Sequence, residues 1–114
     1  MARDLALETW LRERLRDEPG LGEKAMFGGV AWLIDGRLVC AARRDGMLAR
    51  VGPERNAWAL AQPDVGPMEM RGRPLHGWVR AAPAAAAATR GRLLDAALAF
   101  VRAQAAEPLR GRRR

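Results

Sequence analysis

A chain of 114 residues, 49% of them hydrophobic, has room for one core and should bury about two-thirds of its unfolded surface. Of its 20 basic and 13 acidic residues, which give a net charge of +7, Arg110, Arg112, Arg113 and Arg114 crowd the last positions and leave the body only mildly positive. No apolar run approaches the roughly 18 residues of a membrane span, charged residues at Arg3, Asp4 and Glu8 argue against a secretory leader, and a single cysteine fits cytoplasmic residence.

Residues 3–17 form an amphipathic pattern, with Leu5, Leu7, Trp10, Leu11 and Leu15 on one side and Arg12, Glu13, Arg14 and Arg16 on the other, which predicts a helix. Pro19-Gly20 ends it. Met26-Phe27-Gly28-Gly29 then leads into the run Val30-Ala31-Trp32-Leu33-Ile34. Two glycines in a strand-like stretch mark a bulge or a place where another backbone lies close. On this reading Gly28→Val damages folding by about 1 kcal/mol or more.

Strands are predicted at 25–34, 37–43 and 47–51, joined by Asp35-Gly36 and Asp45-Gly46. Asp-Gly between apolar runs is a hairpin signal, because a type I′ turn needs positive φ at both central residues. The result is an antiparallel meander, since a parallel crossover needs a dozen or more residues. Gly52-Pro53-Glu54 opens a short helix with Trp58 and Leu60 inward. Two more strands are predicted at 67–71 and 75–80, around Arg71-Gly72-Arg73-Pro74.

The alanine run 84–88 is a linker or the lead-in to a helix over 90–105, with Thr89 as N-cap and Leu93, Leu94, Ala97, Leu98 and Val101 on one face. The predicted architecture is a two-layer α+β domain over 1–107, of order α-β-β-β-α-β-β-α, with a five-stranded antiparallel sheet. Residues 108–114 are expected to be a disordered basic tail.

The first strand is apolar at both parities, with Met26, Val30, Trp32 and Ile34 facing one way and Phe27, Ala31 and Leu33 the other. The second repeats this, with Leu38 and Cys40 opposite Val39 and Ala41. A sheet covered on one face only should alternate, so cover on the second face is expected from a homodimer or another protein.

Little chemistry is open to this chain. It has no serine and no tyrosine, which excludes Ser-His-Asp hydrolysis and tyrosine acid catalysis. Cys40 and His76, each the sole residue of its type, cannot make a four-ligand zinc site. Cys40 reads as a small core residue and His76 as an exposed one. Gly28-Gly29 lacks the lysine and spacing of a phosphate loop. No enzyme activity, cofactor or metal is expected. Trp10, Trp32, Trp58 and Trp78 fall on four elements and suggest a shared core, unless Trp32 or Trp78 faces a partner.

Four blocks carry a resemblance: Met26-Phe27-Gly28-Gly29; Asp35-Gly36-Arg37-Leu38; Arg50-Val51-Gly52-Pro53-Glu54-Arg55; and Gly72-Arg73-Pro74-Leu75 with Gly77-Trp78-Val79. In this order they resemble the N-terminal domain of the TfoX/Sxy family. The resemblance implies a secretion-chaperone-like fold that often pairs as a dimer. It also implies a bacterial role in competence-type transcriptional regulation, and binding rather than catalysis. Long members carry a second, helical domain, so this chain resembles a stand-alone N-terminal module.

Two functions follow. The first is a regulatory domain that acts through protein contacts. The second is a non-specific nucleic-acid binder using Arg71, Arg73, Arg110, Arg112, Arg113 and Arg114. The four tail contacts would give a salt slope of roughly −3.6, a weak and sequence-blind attraction.

Overall fold

The computed structural model describes residues 3–105, so the predicted tail with Arg110, Arg112, Arg113 and Arg114 lies outside the described residues. Asp4 starts the first helix, its carboxylate accepting the Leu7 amide at 3.0 Å and satisfying one otherwise free donor. Helix α1 spans Leu5–Leu15 and buries Leu7, Leu11 and Leu15, spaced by four on one face. Leu5, predicted on the apolar side, is instead 63% exposed.

The sheet has six strands: β1 Leu21–Met26, β2 Gly29–Ile34, β3 Arg37–Arg43, β4 Gly46–Arg50, β5 Val65–Met70 and β6 Arg73–Ala81. All neighbours are antiparallel, in the spatial order β1-β2-β3-β4-β6-β5. A 3₁₀ turn at Pro53–Arg55 leads into the short α2, Asn56–Leu60, and α3 spans Ala87–Ala105. The architecture is α+β, as the composition of elements predicts, but with a sixth strand.

That sixth strand corrects the reading of 25–34 as one strand. Phe27 and Gly28 take φ of 58° and 74° and form a two-residue turn between β1 and β2, with Met26 opposite Gly29. The same paired positive φ closes the β2–β3 turn at Asp35-Gly36 and the β5–β6 turn at Arg71-Gly72. The β3–β4 turn also differs from prediction. Arg43 pairs with Gly46, so Arg44 and Asp45 are its central residues, and positive φ falls on Gly46 alone.

Gly29 and Gly46 have another reason to be glycine. A Cβ on Gly29 would overlap the Ala42 carbonyl oxygen, and one on Gly46 the Ala81 carbonyl oxygen.

Face assignments shift for the same reasons. Val30, Trp32 and Ile34 do share a face, towards the helices, but Met26 joins Phe27 and Ala31 on the other. In β3 the pairing jumps from Trp32 opposite Cys40 to Leu33 opposite Leu38, leaving Val39 as an extra residue. Such a bulge resets parity. Val39, Cys40 and Ala42 therefore face the helices, and Leu38 and Ala41 the opposite side.

The main core lies between the sheet and helices α1 and α3, with Leu93, Leu94, Ala97 and Val101 packed on β3 and β4. Trp32 and Cys40 are fully buried there, and burial pushes the Cys40 thiol pKa far up, as suits an inert core residue. Trp10 and Trp58 pack on its margin, whereas Trp78 sits on the other face. Helix α3 starts inside the alanine run, which makes Thr89 a buried residue of the first turn rather than its cap. Leu60 stands 37% exposed, and Ala59 takes the inward position expected of it.

One buried charge escapes prediction. Glu8 is 1% exposed and accepts both Arg3 guanidinium hydrogen bonds, at 2.8 and 2.7 Å. Arg12 lies 3.8 Å from Glu8 and donates to both Glu23 oxygens, at 3.0 and 2.8 Å. Glu23 also accepts from the Trp32 indole at 3.0 Å. The chain of contacts ties α1 to β1 and to the largest core side chain.

Arg3 holds the Glu8 carboxyl below its ordinary range, outweighing the burial that raises it. A carboxylate lowered on folding stabilises above its unfolded pKa, about 4.3, and that contribution disappears as pH falls through the folded value. The melting temperature should therefore drop more steeply below about pH 5 for the wild type than for Glu8→Gln. Parallel pH profiles for the two proteins would sink this account.

Candidate functional site

The face of the sheet turned away from the helices carries a second, smaller cluster. Ala31, Ala41, Leu48 and Met68 are at most 1% exposed, and Met26, Phe27, Leu38, Leu75 and Trp78 pack around them half-buried. Among the described residues no helix packs on this face. It is covered by side chains from the β1–β2 turn at one end and from the β5–β6 hairpin at the other. The Phe27 and Trp78 rings close it, edge to face, with centroids 6.0 Å apart and planes at 66°. The apolar residues at both parities thus find cover within one chain, so parity alone does not require a second copy.

Each ring is held by an unusual piece of backbone. Positive φ at a bulky residue is uncommon and costs roughly 1–3 kcal/mol. Phe27 adopts it, and the turn lays its ring on Trp78. Trp78 follows Gly77, whose φ is 93°. The Gly77 carbonyl accepts the amides of both Val51 and Gly52, at 2.9 and 3.0 Å. The Gly77 amide donates to Asn56 Oδ1 at 2.9 Å. A Cβ on Gly77 would come within 3.1 Å of Gly52 C and Pro53 N, so only glycine allows this crossing.

Several of the sequence-predicted residues are therefore brought together. Gly52, Pro53, Gly77 and Trp78 meet at the crossing, and Met26, Phe27, Gly28 and Gly29 form the facing turn. Asp35 and Gly36 are not part of this; they close the β2–β3 turn, where the Asp35 amide donates to the Gly20 carbonyl at 3.0 Å. Gly72 and Pro74 belong to the β5–β6 hairpin, Gly72 in its turn and Pro74 opposite Glu69. Arg71 and Arg73 are exposed at that tip.

Leu48 and Met68 complete the cluster without having been singled out in the sequence. Their signal lies only in the alternation of each strand.

Cations flank the apolar patch. Lys24 pairs with Ala31 and Arg80 with Leu48, and directly opposite residues share a face, so both belong to the helix-free side. Among the described residues neither has a carboxylate partner; Arg80 donates to the Asp45 carbonyl at 2.8 Å. Arg43 is neutralised by Asp45, at 2.6 Å.

Elsewhere, a cleft of about 420 Å³ opens between the 3₁₀ turn and α3, lined by Val51, Pro53, Ala96 and Phe100 among others. Among the described residues no three His, Cys, Asp or Glu side chains gather as a metal would need, and no helix is long and apolar enough to cross a membrane.

A family model described as the TfoX N-terminal domain matches residues 13–103. No curated protein and no solved structure matches the chain.

Proposed function

The chain belongs to the TfoX N-terminal domain family, and from that premise we propose that it is a non-enzymatic regulatory domain that binds a protein partner on its helix-free sheet face. The observation that carries this reading is the Phe27–Trp78 pair. Two half-exposed aromatic rings are held by backbone conformations that a purely structural cover would not require. Strain of this kind gathers at functional sites, and aromatic anchors dominate interface energetics. The transcriptional setting comes from the family resemblance.

Nucleic-acid binding is the weaker reading. Arg71 and Arg73 at the β5–β6 tip would supply two phosphate contacts, a salt slope of roughly −1.8 and about a tenfold loss between 50 and 200 mM salt.

Pull-down from the native cell with wild type, Trp78→Ala and a chain lacking 108–114 tests both. The partner should be recovered by wild type and by the shortened chain, and about tenfold less by Trp78→Ala, which should itself melt only slightly earlier. Equal recovery by wild type and Trp78→Ala would remove the helix-free face from consideration. A duplex-DNA gel shift that depends on 108–114 would favour the second reading.

A further inference from the structure

The two edges of the sheet are not alike. β5 carries Pro67, and its pairing with β6 is interrupted between Pro67 and Glu69. A proline and a bulge are the two backbone devices, beside edge charges, that keep an edge from accepting another strand. β1 has neither. It pairs with β2 in unbroken register over all six residues, Leu21–Met26, and Gly22, Glu23, Lys24 and Ala25 are exposed. It therefore presents a row of backbone donors and acceptors beside the aromatic patch, with Met26 and Phe27 at one end of the row.

We propose that β1 is a receptor edge for an extended acidic peptide segment of a partner protein. The segment adds as a further strand, setting a carboxylate opposite Lys24 and an apolar residue opposite Met26, on the same face. Lys24 and Met26 are two apart and lie on the helix-free side, so the two recognised positions of the peptide are also two apart. Lys24, exposed on β1 and without a carboxylate partner among the described residues, supplies the charge that the acidic residue of the segment complements; Arg80 lies four strands away on β6. Glu23, on the other face, is already engaged by Arg12 and Trp32 and makes no demand on the incoming strand.

A second copy of this chain fits the edge poorly. A two-fold antiparallel pairing places one residue opposite its own copy. The two registers of longest overlap centre on Glu23 or on Lys24, and either sets like charges directly opposite, which destabilises a strand pair. A nucleic acid has no backbone amide groups with which to continue the ladder.

The proposal rests on the reading of the helix-free face as a binding surface, and the test separates the two. A displayed library of random linear peptides is selected on the intact protein, and the enriched peptide is measured by fluorescence anisotropy. Enriched peptides should carry an apolar residue and a carboxylate two positions apart. Lys24→Glu should weaken binding roughly five- to tenfold, and replacing the peptide carboxylate by lysine should restore it. Amide exchange along 21–25 should slow in the complex.

Unchanged affinity in Lys24→Glu together with unprotected 21–25 amides overturns the edge. If such a peptide still depends on Trp78, the binding surface itself stands. Enrichment of no peptide also overturns the edge, and the pull-down with Trp78→Ala then decides the surface on its own.

Discussion

Gly29→Val should cost about 3 kcal/mol or more, or prevent folding, whereas Gly28→Asn should cost less than about 1 kcal/mol. The two residues are neighbours in one motif, and the sequence points to Gly28 as the sensitive one. The structure keeps Gly28→Val strained but makes Gly29 the more demanding position, and for a different reason. Gly28 needs only a left-handed conformation, at φ 74° with nothing within 4 Å of a Cβ, and asparagine tolerates that region. Gly29 has an ordinary φ but faces the Ala42 carbonyl oxygen, so any side chain there must push β2 and β3 apart. Backbone cannot rotate away as a flexible side chain does. Urea denaturation of both variants decides the matter: equal losses, or a harmless Gly29→Val, would refute this geometry.

Trp32→Ala should destabilise by about 3–5 kcal/mol, the range for emptying a large aromatic site. Trp32 is fully buried and is the largest of the buried side chains. Its removal also takes the indole donor from Glu23. Trp32→Phe separates the two contributions, because it keeps most of the packing and loses only the bond to Glu23. We expect about 1 kcal/mol for that second change. Chemical denaturation at neutral pH measures both, and a phenylalanine variant as unstable as the alanine one would show the hydrogen bond to outweigh the packing.

The helices and the antiparallel character of the sheet were legible because they rest on local signals. Leu7, Leu11 and Leu15 recur at helical spacing, and Asp35-Gly36 has the side chain and the glycine that its turn demands. The first hairpin was not legible, because its turn begins with phenylalanine. An aromatic residue in the left-handed region has no local reason to be there; it is held by Trp78, which lies on β6. Asp45-Gly46 looked like Asp35-Gly36 but is used differently: its glycine stands after the two central residues of the turn, at φ 129°, and also faces the Ala81 carbonyl.

The candidate surface was only half visible. The motif blocks named Phe27, Gly77 and Trp78 without showing that they meet. Val39 hid the rest, since one extra residue exchanges the faces of everything after it in β3. Glu8 gave a faint clue, with Arg12 one helical turn away, but burial of its carboxylate depends on Arg3 folding back from before the helix.

The glycines at 29 and 46 have a further consequence. Both let a strand approach a neighbour's carbonyl, one between β2 and β3 and the other between β4 and β6, and both lie beside the turns at one rim of the sheet. At the opposite rim the close approach is that of Gly77 to the backbone of Gly52 and Pro53. The Phe27 ring, on the turn that leads into β2, nonetheless reaches Trp78 on β6 across the two intervening strands. The sheet that carries the aromatic patch is thus held backbone to backbone at two positions where any side chain would part its strands.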